Sequence, residues 1–418
     1  MHINQPLNES VAVVGGGIIG LCIAAYLQQS GIGVTIYEPA EPAQQTSAGN
    51  AGALSQGSVA PFGMPGTLKK VPSMLLDKTG PLYLRPSYAL AAAPWLARFV
   101  LASRPDRVEE ISRALSALHG RVFTAYETLL AFCGAEDLLR RTGQLHLYRD
   151  RNGLAGDHAS WQLRRDRGVD WHVVEADELR RLEPAVSDKY RVGVFMPNEG
   201  MIISPVSLLR RLRDTVQKSG ASIRPFKVRR VRVVDTGNIE LQDAHGSIVY
   251  QKAIIAAGAW SGELCRQVGF KVPLETQRGY HVMYGHSKTV LKRPVTATDT
   301  KIFASPIEGG IRIAGTVEFA GLNRPENHKR CLALRKHGRE LIPGLLEQPT
   351  ETWMGNRPCL PDSLPVIGRS PRQTNLYFAF GHGHLGLTGA AATAEIICNL
   401  INGKNAEIDL SPFAIDRF

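Results

Sequence analysis

No run of about 18 uninterrupted apolar residues, the length a helix needs to cross a bilayer, occurs in the 418-residue chain. The expectation is a chain without a transmembrane segment. The nearest approach, residues 88–102, is broken by Pro94 and Arg98 and flanked by Arg85 and Arg104, which suits a buried or interfacial helix. Cysteine is sparse: Cys22, Cys133, Cys265, Cys331, Cys359 and Cys398 stand singly, with no CxxC and no metal-ligand spacing. This argues against a cysteine-built metal centre and for reduced thiols in a cytoplasmic compartment. Residues 1–10 are polar and lack the basic-then-apolar pattern of a secretory leader. Aromatic residues make up only 7% of the chain, and the basic clusters Arg210/Arg211/Arg213 and Lys227/Arg229/Arg230/Arg232 are not interleaved with them. A nucleic-acid surface is therefore not expected. Repeats and low-complexity segments are absent too.

What is present is an ordinary globular composition with excess positive charge, +11 at pH 7. Such a field attracts anions: a dinucleotide, a carboxylate substrate or an acidic membrane surface, so peripheral membrane association stays open. The length suits two domains.

The sequence VAVVGGGIIG at residues 11–20 leads into a helical stretch, a second apolar strand and Glu38. This is the context of a dinucleotide-binding βαβ unit. Gly15 permits the sharp turn after the strand, Gly17 admits a pyrophosphate close to backbone N–H groups, and Gly20 lets the helix lie against the sheet. Glu38 falls eighteen residues after Gly20, where an acid accepts the hydrogen bonds of an adenosine ribose. The acid disfavours a 2′-phosphate and so argues for FAD or NAD over NADP.

Residues 46–58 follow, small and polar, fit for close backbone approach to a flat ligand. Residues 103–133 carry a single apolar stripe of helical period. Residues 144–148 and 192–196 read as strands of a second sheet, and Ser204-Pro205 opens a helix ending near Gly220. Residues 227–234 and 251–260 read as strands returning to the first sheet, the latter ending in Ala257-Gly258. Further strands are expected at 277–284 and 310–315, a basic helix at 326–341, and a strand at 376–380 before a glycine loop that feeds the last helix.

In order along the chain, the GGGIIG turn with Glu38, TSAGNAG at 46–52, AAGAW at 256–260, QRGY at 277–280, GNRPCLPDSLPVIG at 355–368 and GHGHLGLT at 381–388 cover nearly the whole length. This arrangement resembles the FAD-dependent D-amino acid oxidase superfamily, most closely the small-subunit type of bacterial D-amino acid dehydrogenase. The resemblance implies an α/β fold. A doubly wound, Rossmann-like FAD-binding domain would occupy residues 1–80, 201–265 and 351–418, and an inserted α+β substrate domain on an antiparallel sheet would occupy 81–200 and 266–350.

The same resemblance assigns Gly15, Gly17 and Gly20, with Ile18 and Ile19 between them, to the FAD pyrophosphate, and Glu38 to the ribose. It lays Ser47, Gly49, Asn50 and Gly52 along the pyrophosphate, ribityl chain and ring edge. Val228 would meet the adenine, Ala257 and Gly258 would pass near the cofactor, and Gly383, His384, Leu385, Gly386 and Thr388 would present N–H groups to the flavin. Arg357 stands in the position of the family's substrate anchor, and a planar bidentate donor suits a carboxylate. A structural arginine ahead of Pro358 is the alternative. Tyr280 would donate to the same carboxylate, unless it is a core tyrosine, with Arg278 next in line. His382 is read as a polar contact of the flavin-facing loop; no carboxylate or cysteine accompanies the His382/His384 pair, so no metal is expected.

The implied activity is hydride transfer from the Cα of a D-amino acid to flavin. The product is an imino acid and then a 2-oxo acid, or a cyclic imine from D-proline or hydroxy-D-proline. Two other readings stand beside it: an oxygen-using oxidase of glycine or sarcosine type, and an electron-transfer flavoprotein subunit without a substrate of its own. A carrier has no need of a carboxylate clamp, so Arg357 speaks against the last. A quinone or electron-transfer partner fits the family, and the location expected is the cytoplasm or the inner face of the cell membrane.

Overall fold

The computed structural model describes residues 10–41, 45–77, 79–285 and 288–418. Residues 1–9, most of the segment judged above to lack a leader pattern, lie outside them. Two sheets organise the chain. The first contains six strands in the order Ser222–Arg224, Val34–Tyr37, Val11–Val14, Ala253–Ile255, Leu376–Phe380 and Val366–Arg369, parallel except for the last pair. Val11–Val14 is buried at every position, as a central parallel strand requires. Val11 and Val13 face a helical layer that includes Ile18–Gln29, Pro205–Lys218 and Gly386–Ile401. Ala12 and Val14 face a different core, built with the small antiparallel sheet Arg230–Val233, Ile239–Gln242 and Ser247–Tyr250 and the short helix Ser261–Gln267.

The second large sheet has the order Glu351–Cys359, Glu275–Gly285, Gly310–Phe319, Ile302–Ile307, Val295–Ala297, Gln144–Tyr148, Val192–Met196 and His172–Glu175, with Leu82–Leu84 added along Gly310–Phe319. It is antiparallel apart from two pairings. The expected architecture, an α/β cofactor layer with an inserted antiparallel sheet, is the one that forms.

Three expectations need correction. Residues 227–234 do not return to the first sheet; Arg230–Val233 opens the small sheet that covers its second face. The helical stripe of 103–133 divides into Pro105–His119 and Val122–Cys133, and both pack on the last helix of the cofactor layer, so this part of the expected substrate segment belongs to the other layer. Glu351–Cys359 is the edge strand of the large sheet, and the chain regains the parallel layer only after it.

The apolar helix Gly386–Ile401, with the turn before it, is long and apolar enough to cross a membrane, but two-thirds of it is buried. Its contacts are with Ile18–Gln29, Val122–Cys133 and Pro105–His119. The six cysteines are free, and all but Cys133 are buried.

Candidate active site

A cavity of about 1420 Å³ runs between the two layers. At one end lies the glycine turn, where each glycine has its own reason. Gly15 has φ +114, and a Cβ on it would lie 2.4 Å from the Ala256 carbonyl oxygen. A Cβ on Gly20 would lie 1.8 Å from the Gly15 oxygen, so strand and helix demand glycine at both positions. A Cβ on Gly17 would meet only Ser47 Oγ, at 3.2 Å. The protein does not fill the space beside Gly17, as a pyrophosphate cradle requires. Ser47 Oγ accepts from Ile18 N at 3.0 Å, and Glu38 Oε2 accepts from Gly16 N at 2.8 Å, which fixes the acid at the mouth of the turn.

Of the residues assigned to FAD, Gly15, Gly17, Ile18, Ile19, Glu38, Ser47, Gly49, Asn50, Val228, Ala257, Gly258, Gly383, His384, Leu385, Gly386 and Thr388 all line this one cavity, although they come from distant parts of the chain. Gly20 and Gly52 do not line it. Gly52, at φ +83, would place a Cβ 2.4 Å from the Ile202 oxygen and is required by the turn itself. These residues fit FAD: a long cavity, an acid at one end, a glycine left clear at the helix start, and a second glycine loop at the far side.

The second layer supplies the other wall. In the pairing of Glu275–Gly285 with Glu351–Cys359, Gln277 stands opposite Arg357, Gly279 opposite Gly355 and His281 opposite Trp353, so these six share one face. Arg357 lies flat on Gly279, where a Cβ would come 2.0 Å from its Cζ. Trp353 stacks on His281 at 5.0 Å and fills the space that side chains at Gly49 and Gly355 would need.

Arg357 Nη1 donates to the Thr316 carbonyl at 3.0 Å. Among the described residues Nε and Nη2 have no protein partner, and neither is enclosed. No carboxylate pairs with the guanidinium among those residues; burial pushes its pKa down, against a smaller opposing effect of Cys359. Thr316 itself adopts φ +59 at a bulge opposite Gly279, and this irregularity turns its carbonyl onto Arg357. His384 completes the corner: its Nε2–H donates to Gln277 Oε1 at 3.1 Å, and its ring packs on Phe62 at 4.4 Å.

Two proposed site residues turn their polar ends away, although Tyr280 still lines the cavity. Tyr280 is one residue out of phase with Gln277, Gly279 and His281, and its hydroxyl donates to Glu318 and accepts from Asn327 N at 3.1 Å. Arg278 shares that face, pairing with Glu318 at 3.5 Å and donating to the Arg324 and Pro325 carbonyls. Neither has its polar end free for a substrate carboxylate. The His382 ring also points inward, with Nε2 2.9 Å from Thr393 Oγ1, and burial holds its pKa down at about 3. It therefore braces the loop, and the two histidines of GHGH face different surroundings. Among the described residues no group of three or more His, Cys, Asp or Glu is arranged to hold a metal.

Gln277, Thr316, Trp353 and Phe62 were missed from sequence. Gln277 and Gly355 lay inside quoted motifs; the bulge at Thr316 has no sequence signal.

The profile of the DAO family, described as FAD dependent oxidoreductase, matches residues 10–400. The chain belongs to this family. It is an FAD-dependent oxidoreductase. It is 37% identical over 421 residues to the D-amino-acid oxidase of Bradyrhizobium diazoefficiens, covering 99% of this chain and all of the relative. With D-amino acid dehydrogenase 2 of Ralstonia nicotianae it shares 30% over 433 residues, covering 97% of this chain and all of that one. Among solved structures, the glycine oxidase of Geobacillus kaustophilus superposes with a TM-score of 0.76 at 22% identity, with 98% of each chain covered. The L-proline dehydrogenase of P. horikoshii gives 0.76 at 17%, covering 99% of this chain and 98% of that one. At such identities these two show the shared fold of the family.

Proposed function

We propose that this oxidoreductase acts on D-amino acids, with the substrate carboxylate held on Arg357. The observation that carries the reading is the guanidinium itself: inside the cavity, laid flat on Gly279, with Nε and Nη2 open and no carboxylate among the described residues to neutralise it. A planar fork that binds a carboxylate through two N–H bonds also fixes the plane of that carboxylate in the cavity. FAD, when bound, supplies the acceptor for the hydride from Cα. The D configuration rests on the relatives named oxidase and dehydrogenase. Within that class we favour D-proline and hydroxy-D-proline, because Phe62 and Trp353 give the cavity flat aromatic walls suited to a five-membered ring.

The test is a panel of D-amino acids and D-prolines, assayed with a dye and with oxygen, on wild type, Arg357→Lys and Arg357→Ala. Both variants should retain FAD and lose roughly tenfold to more than a hundredfold in kcat/KM, the worth of a charge-assisted contact. Lysine keeps the charge but lacks the fork, so it too is impaired. Near wild-type kcat/KM in both would make Arg357 structural.

For the electrons we favour a quinone or other carrier met at the inner membrane surface. The helix Ala89–Ala102 supports this: Leu96 and Phe99 line the cavity, while Leu90 (92% exposed) and Leu101 (61%) face outward beside Arg98 and Arg104. Co-sedimentation with anionic lipid vesicles, lost in Leu90→Ser/Leu101→Ser, is expected; equal binding by that variant would remove this surface from consideration.

A further inference from the structure

A carboxylate held at one point can still swing, so an amino acid needs a second anchor to present Cα–H in a single direction. The substrate amine is the obvious handle, and hydride loss from Cα requires it unprotonated. A carboxylate beside Arg357 would favour the ammonium form, but none of the described residues supplies one. The neutral acceptors on this wall are mostly committed. Thr316 O accepts from Arg357, Gln277 Oε1 from His384, Asn356 Oδ1 from Thr276 and Asn356 O from Thr46. His281 donates Nδ1–H to the Gly49 carbonyl, and its Nε2 is enclosed. Thr316 Oγ1 is enclosed as well.

His384 differs from all of these. Its Nε2–H is fixed by Gln277 Oε1, so the lone pair of the neutral ring sits on Nδ1. Nδ1 has no hydrogen-bond partner among the described residues, yet it is not enclosed, and the ring lines the same cavity as Arg357. Phe62 packs on the ring and restricts its rotation.

We infer that His384 Nδ1 accepts an N–H of the substrate amine, that Gln277 sets the tautomer which makes this acceptor available, and that His384 and Arg357 together fix the substrate by amine and carboxylate. Burial, with the Arg357 charge second, holds the His384 pKa well below the usual histidine range. The ring therefore takes the hydrogen bond and leaves the proton on nitrogen. The positive neighbour also disfavours a second cation, which biases the bound amine toward its reactive neutral form.

The inference rests on the Arg357 reading, and the experiment separates the two. Benzoate and 2-aminobenzoate differ by one neutral amine, and calorimetric titration of the FAD-loaded protein with each gives the worth of that amine without turnover. Wild type should prefer 2-aminobenzoate. His384→Phe should bind benzoate as wild type does and lose the preference, a change of about 2- to 10-fold for a neutral hydrogen bond. His384→Asn, with an acceptor near the position of Nδ1, should recover part of it, and Gln277→Leu, which frees the tautomer, should lose part. With a D-amino acid, His384→Phe should raise KM and lower kcat together. A preference unchanged in His384→Phe, or equal weakening toward both ligands, would overturn the role of His384 while leaving Arg357 in place. Failure of wild type to bind either carboxylate would overturn the Arg357 reading and this one with it.

Discussion

Tyr280 and Arg357 occupy neighbouring strands, yet they face opposite sides of the sheet. Side chains alternate along a strand, so a motif such as QRGY contains both faces and does not say which is which. The residues themselves hold the answer: Gly279 is needed under Arg357, and that phase sends Tyr280 to Glu318. Tyr280→Phe should therefore leave KM for the amino acid unchanged while lowering stability by about 1–3 kcal/mol, because buried Glu318 loses a donor. Thermal melts alongside steady-state kinetics make the distinction, and a selective rise in KM would restore Tyr280 to the site. The glycine turn and its acid were legible for the converse reason. Gly15, Gly20 and Glu38 are set by backbone geometry within one short βαβ unit, and local geometry is what a sequence records most directly.

Among the elements, those with a strong period were also legible: the helix Pro205–Lys218 with its Ser204 cap, the long strand Glu275–Gly285, and the closing helix Gly386–Ile401. Membership of a sheet was not. Arg230–Val233 and Ala253–Ile255 both read as short strands, and only tertiary pairing sends one to the small sheet and the other to the parallel one. The strand Glu351–Cys359 was hidden by its own usefulness, since Gly355 and Pro358 read as loop residues although Gly355 makes room for Trp353. The pairing of this strand with Glu275–Gly285 makes Gly279→Ala a sharp test. The added methyl would displace Arg357, so kcat/KM should fall as in Arg357→Ala while FAD content stays normal. Normal kcat/KM in Gly279→Ala would show that the guanidinium does not depend on that close approach.

For the whole molecule, stability should carry opposing proton linkages. Burial pushes His119 down to about 4 and His146, His281 and His382 to about 3. Their contribution is complete above the ordinary histidine range and is lost as pH falls toward those values. Glu199, 1% exposed, runs the other way: burial, against bonds from Gly57 N and Ser55, pushes it up to about 7. Its contribution is complete below the ordinary carboxylate range and is lost as pH rises through 7. Glu199→Gln should therefore match wild type near pH 4 and exceed it near pH 8 by on the order of 3 kcal/mol. Denaturant titrations at the two pH values measure this; a variant less stable at both would mean that Glu199 folds ionised.

The loop around residues 46–53 is tied to both layers. Ser47 caps the first helix and Thr388 reaches the Ala53 carbonyl, while Arg312 holds the Ala48 and Asn50 carbonyls, His281 that of Gly49, and Thr46 that of Asn356. Four of these six anchors are thus borne by the sheet that also carries Arg357. A chimera joining the parallel layer of one family member to the antiparallel sheet of another would cut these ties, even with every strand boundary respected. Shuffling substrate specificity in this scaffold therefore requires exchanging Arg312, His281 and Asn356 together with residues 46–53, as one inherited block.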